Sequence, residues 1–126
     1  MKQIDELNYV DTAEKVIQDL KQENRNKISL TTSKIRNLLS MTAALYTDAQ
    51  KHRGDKLSEE IQSRVQYLRM RVAYEAGRDE NVKDFVTRAE IIKQISAIHD
   101  SRKNLLLFCR YMEALVAYHK FYGGRD

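Results

Sequence analysis

Ser101–Gly124 reads SRKNLLLFCRYMEALVAYHKFYGG. Leu105, Phe108, Cys109, Met112, Leu115, Val116 and Tyr118 recur in it at steps of three and four, the spacing of one helix face. The segment is predicted to start near Asp100 or Ser101 and to reach Tyr122, with Gly123-Gly124 as its stop. Its apolar arc is wide, leaving only Arg110, Glu113, Ala114, Ala117, Lys120 and Phe121 outside it. A helix wetted on so little of its surface is the central member of a bundle.

Four segments upstream supply what packs around it. The first runs from about Asp11 to Gln22, with Val10, Ala13, Ile17 and Leu20 on one face, and the polar stretch KQENRNK ends it. The second reaches about Lys51, with Thr31 as its cap, Leu30 and Ile35 as a hydrophobic staple, and Leu38, Leu39, Leu45, Tyr46 and Ala49 along its stripe. The third opens at Ser58, followed by Glu59 and Glu60 at the positive helix end, and buries Ile61, Val65, Leu68, Val72 and Ala76. Gly77 is expected to stop it. The fourth follows Asp79-Glu80-Asn81 as one helix, with Val82, Phe85, Val86, Ala89, Ile92 and Ile95 inward. No alternating strand pattern competes. The expectation is an all-α protein, a compact bundle of about five helices in a single domain spanning residues 1–126.

Composition agrees. There is no proline, and the four glycines (Gly54, Gly77, Gly123 and Gly124) leave long stretches uninterrupted. A chain of 126 residues suits one domain and buries a core without disulfides or metal. Its single cysteine, Cys109, has no partner for an intrachain disulfide, which fits a reducing compartment. No apolar run approaches the ~20 residues of a membrane helix. The opening MKQIDELNYVD places acids where a signal peptide is apolar. The expectation is a soluble, cytoplasmic protein with no membrane partner. A net charge of +4 is too weak to name a partner by itself, so the placement of basic residues matters more than their number.

Arg64, Tyr67, Arg71, Tyr74 and Arg78 fall within one arc of about 80° on the third segment, opposite its apolar stripe. Guanidinium groups there neutralise phosphates, and tyrosine rings support unstacked bases; a plain solvated face is the alternative. On the C-terminal segment, Ala114 and Ala117 between Arg110 and Lys120 make either a flat positive floor for a backbone or a place where another helix approaches closely. Lys51, His52, Arg53 and Lys56 add a basic loop. Enzyme chemistry finds less support. His99-Asp100 resembles the doublet of metal-dependent phosphohydrolases, but the other histidines, His52 and His119, have no ligand spacing, so the doublet is read as a helix end capped by the aspartate. His119 stands about 15 Å along the axis from Cys109, too far to activate it. No glycine-rich phosphate loop is present. No catalytic residue, metal, cofactor or small-molecule substrate is expected.

Three runs carry a resemblance: LTTSKIRNLLSMTAALY (Leu30–Tyr46), YLRMRVAYEAGRD (Tyr67–Asp79) and CRYMEALVAYHKFYGG (Cys109–Gly124). In order and spacing they resemble the small subunit of type III-A CRISPR–Cas effector complexes, the Csm complexes. That family is compact, all-helical and without known catalytic residues. The resemblance implies a structural subunit in antiviral defence. Its copies stack in a ribonucleoprotein filament, and its partners are the repeated backbone subunit, the large subunit and the guide RNA–target RNA duplex, whose target strand it touches. The family's basic places fall on Arg36, Arg69, Arg78, Arg110 and Lys120, with Lys34 in the first run. Arg71 and Arg64 come only from the solvent-facing arc, and Arg78 from both arguments. Arg69 flanks an apolar stripe, where a buried structural pair is the alternative, and Arg36 equally suits a neighbouring subunit. The rival reading is a helical interaction module whose basic face binds an acidic protein.

Overall fold

The computed structural model describes residues 3–125. Met1 and Lys2, which open the N-terminal stretch read above, and Asp126, which ends the expected domain, lie outside the described residues. Six helices follow one another: α1 (Tyr9–Glu23), α2 (Thr32–Lys51), α3 (Glu59–Arg78), α4 (Glu80–Arg88), α5 (Ile91–Ser96) and α6 (Arg102–Phe121). The all-α expectation holds. Among the described residues the only pairing of strand type is one isolated bridge, Lys56 with Ser101. No described helix is long and apolar enough to cross a membrane.

Helix α6 is the central element, as its wide apolar arc requires. It buries Leu105, Leu107, Phe108, Cys109, Tyr111, Met112, Leu115 and His119, with α1 and α2 packed along its flanks. Val116 and Tyr118, expected inside, are only partly buried. Helix α3 rests on α2, α4 and α5. Its five predicted inward residues, Ile61, Val65, Leu68, Val72 and Ala76, are all buried. Capping follows the sequence at two helices: the Thr31 side chain accepts from the Lys34 amide and the Ser58 side chain from the Ile61 amide.

Elsewhere the chain departs from the expectation. Gly77 does not end α3, which continues to Arg78; the chain turns at Asp79, whose carboxylate caps α4 through the Asn81 and Val82 amides. The fourth segment is two helices. Glu90 sits in the left-handed region (φ 51°), and the Tyr111 hydroxyl donates to the Ala89 carbonyl at 2.9 Å, consuming an acceptor at the end of α4. The chain changes direction there, so Ile91 rather than Ile92 is fully buried. Asp100 is not a helix cap. Ser101 caps α6, while the Asp100 carbonyl accepts from the Leu57 amide at 2.8 Å. Val10 is 38% exposed, and Val16 takes its place in the buried stripe of α1.

Candidate nucleic-acid interface

The outer face of α3 follows from its inner one. With the apolar stripe buried, Tyr67, Met70 and Tyr74 stand 57%, 57% and 58% exposed along the opposite side. Most of the charges among them have local partners. Arg64 pairs with Asp48 of α2 at 2.7 Å, and Arg78 with Glu75 at 3.5 Å while lying over the Tyr74 ring. Arg71 donates to the Tyr67 hydroxyl at 3.5 Å, a contact that raises its pKa further and keeps it charged. Met70 was missed by the sequence reading, although it lies at helical spacing between the two tyrosines. Arg69 points to the other edge of α3. It is exposed and donates to Ser96 Oγ at 3.4 Å, so it makes no buried pair and stands apart from the remaining candidates.

A second group assembles at one end of the bundle. The Thr32 amide donates to the Arg125 carbonyl at 3.1 Å, and His119 Nε2 donates to the Leu30 carbonyl at 2.7 Å. At the other end of the pair, Arg102 donates to the Ala49 and Gln50 carbonyls. Helices α2 and α6 are therefore antiparallel, with the start of α2 beside the end of α6. The ion pair of Lys34 with Asp79, at 3.5 Å, draws the α3–α4 junction to the same place. Lys34, Arg36, Arg78 and Lys120, widely separated in sequence, thus share one end of the molecule.

From that end the surface runs along α2 and α6 to Arg110. Ala43 and Ala117 are exposed small residues on it, beside a shallow groove lined by Leu39, Tyr46, Thr47 and Glu113. The Tyr46 side chain beside Arg110 raises its pKa. Arg36, Arg110 and Lys120 are exposed, and among the described residues no carboxylate lies within 4.0 Å of any of them. Exposed cations without a direct ion-pair partner, at the margin of a floor that also carries Glu113, suit a polyanion backbone.

The remaining candidates carry no catalytic geometry. Burial, and to a lesser degree Glu113, pushes the Cys109 thiol up to about 12, the opposite of what a nucleophile needs. His52 Nε2 is 2.6 Å from the Lys56 carbonyl, His99 is exposed at φ 51° beside the same loop, and His119 is buried on the Leu30 carbonyl at the other end of α6. Among the described residues no group of three His, Cys, Asp or Glu side chains converges for a metal ion.

Fold and surface together define an all-helical protein whose distinctive chemistry lies on open helix faces rather than in a cleft. The chain matches the family model described as Csm2 Type III-A over residues 4–125, and it belongs to that family. Among its relatives is the "CRISPR system Cms protein Csm2" of Streptococcus thermophilus, 47% identical over 119 residues, which are 94% of each chain. The protein of the same name from Mycobacterium tuberculosis is 44% identical over the same shares. That of Enterococcus italicus is 35% identical over 96% of this chain and 91% of the relative.

Proposed function

We propose that this chain is the non-catalytic small subunit of a type III-A CRISPR–Cas effector complex. Its copies stack beside the repeated backbone subunit, and each touches the target strand of the guide–target RNA duplex. The observation that supports this reading best is the set of exposed cations without a direct ion-pair partner on the α2–α6 face, Arg36, Arg110 and Lys120, continuous with Lys34 and Arg78 at the end of the bundle. Sequence in such a complex is read by guide–target pairing, so the protein needs phosphate and sugar contacts but no groups aimed at base edges. A net charge of +4 is enough because many copies act on one strand, each adding a little.

The test is target-RNA affinity of complexes reconstituted with Arg36→Ala, Arg110→Ala and Lys120→Ala together, across a salt series. Each lost phosphate contact should reduce the salt slope by roughly 0.7 per bound subunit, equally for every target matched to its guide. An unchanged slope with correct assembly would move these residues to a protein interface and favour an acidic protein as the partner of this face.

A further inference from the structure

The side chains of the ridge Tyr67–Met70–Tyr74 are not among the strand contacts just described, although the Tyr74 ring lies under Arg78. Its three side chains follow at steps of three and four along α3, each with more than half its surface in solvent. Contiguous apolar exposure of this kind marks a contact surface. Arg71 flanks the ridge, and among the described residues no carboxylate lies within 4.0 Å of it. From Arg64 to Arg78 there are four arginines against the single acid Glu75.

A complementary feature stands at the start of α1. Leu7 is 93% exposed and Val10, one turn on, 38%. The turn presenting Leu7 is fixed by its own side chains: Asp5 Oδ1 accepts from the Leu7 and Asn8 amides at 2.8 Å, and Asn8 Oδ1 accepts from the Asp5 amide at 2.7 Å. The segment from Asp5 to Glu14 holds four acids and no base. Of these, Asp11 is exposed and has no cation within 4.0 Å among the described residues.

We infer that these two faces bind each other between copies of the chain. The Leu7–Val10 knob of one copy seats on the Tyr67–Met70–Tyr74 ridge of the next, with Asp11 opposite Arg71. The inference rests on the reading that the protein works in stacked copies, and it names the surfaces that do the stacking. The two faces differ, so the contact is head-to-tail. Helix α1 rests on α6 and α4, and α3 on α2, α4 and α5, so one chain can use both faces at once. Repetition then gives an open filament rather than a closed dimer. Each face is only a few side chains, below the ~1,200–2,000 Å² of a standard interface. The isolated chain therefore associates weakly and gains strength when a shared scaffold aligns its copies.

Leu7→Asp removes the knob and Met70→Asp the ridge, both at exposed positions where folding is not at stake; a thermal melt of each variant checks this. Sedimentation velocity of the full chain at low salt, up to about 1 mM, reads the association. The wild type should grow beyond a dimer with concentration, and each variant alone should associate at least about tenfold more weakly. A mixture of the two should form a one-to-one heterodimer, because one retains the ridge and the other the knob. Arg71→Asp should weaken wild-type assembly, and pairing it with a chain carrying Asp11→Arg should restore it. A wild type that stays monomeric to about 1 mM, a mixture that stays monomeric, or a symmetric dimer that grows no further would overturn the inference. Met70→Asp should also leave the RNA salt slope of the reconstituted complex unchanged. A reduced slope together with a monomeric mixture would assign the ridge to the RNA, overturning this interface while leaving the strand-contact reading intact.

Discussion

Gly124→Ala tests how the basic end of the bundle is held together. A methyl group on Gly124 would lie well inside 3.0 Å of three ring atoms of His119, namely Cε1, Nδ1 and Nε2. The ring cannot simply move aside. It is 1% exposed, and its Nε2 donates to the Leu30 carbonyl at 2.7 Å. Lifting the tail instead would break the bond from the Gly124 amide to the His119 carbonyl, 2.8 Å, and that from the Thr32 amide to the Arg125 carbonyl, 3.1 Å. Overpacking costs about 1–3 kcal/mol, and two net hydrogen bonds at roughly 0.5–1.5 kcal/mol each give a similar figure, so either route leads to a loss of about 1–3 kcal/mol. Urea unfolding followed by circular dichroism should show the midpoint lowered by about 1 M, given a slope of about 1–3 kcal/mol per M. Exchange of the Thr32 amide should quicken. His119→Ala removes the obstacle, so in that background Gly124→Ala should cost less than about 0.5 kcal/mol. A wild-type midpoint for Gly124→Ala, or an equal cost with and without the ring, would refute the argument.

Two further outcomes follow from the core. Leu115 is fully buried on α6, and Leu115→Ala should cost on the order of 2–5 kcal/mol in a thermal or urea melt; a loss below about 1 kcal/mol would mean that α6 faces another way. The Cys109 thiol, pushed up to about 12 chiefly by burial, should resist thiol reagents near about pH 8 in the native protein and react only as urea unfolds it.

The helix faces were legible because burial enforces period. Every residue of the α3 stripe lies where its spacing puts it, and Thr31 and Ser58 cap the helices they precede. The break at Glu90 was not legible. Phe85, Val86, Ala89, Ile92 and Ile95 keep helical spacing through it, while the Tyr111 hydroxyl that bonds the Ala89 carbonyl there lies 22 residues away. The burial of His119 was not legible either, its partner Leu30 being 89 residues distant. The candidate interface was legible in part. Periodicity selected Arg78, Arg110 and Lys120, whereas Arg36 and Lys34 came only from the family resemblance. Their convergence depends on antiparallel α2–α6 packing and on the Lys34–Asp79 pair, both tertiary facts. The resemblance placed Arg69 with the others, but packing of α3 on α5 turns it toward Ser96.

The central claim is that this chain meets the target strand through its α2–α6 face. Ultraviolet cross-linking of photoreactive target RNA bound in the assembled complex, with mass spectrometry of the linked peptides, reads that contact directly. Cross-links are expected in the segments Lys34–Tyr46 and Arg110–Phe121, and they should disappear when Arg36, Arg110 and Lys120 are replaced by alanine. An assembled complex with cross-links on the backbone subunit but none on this chain, or only around Gln62–Arg69 on the far edge of α3, would contradict it.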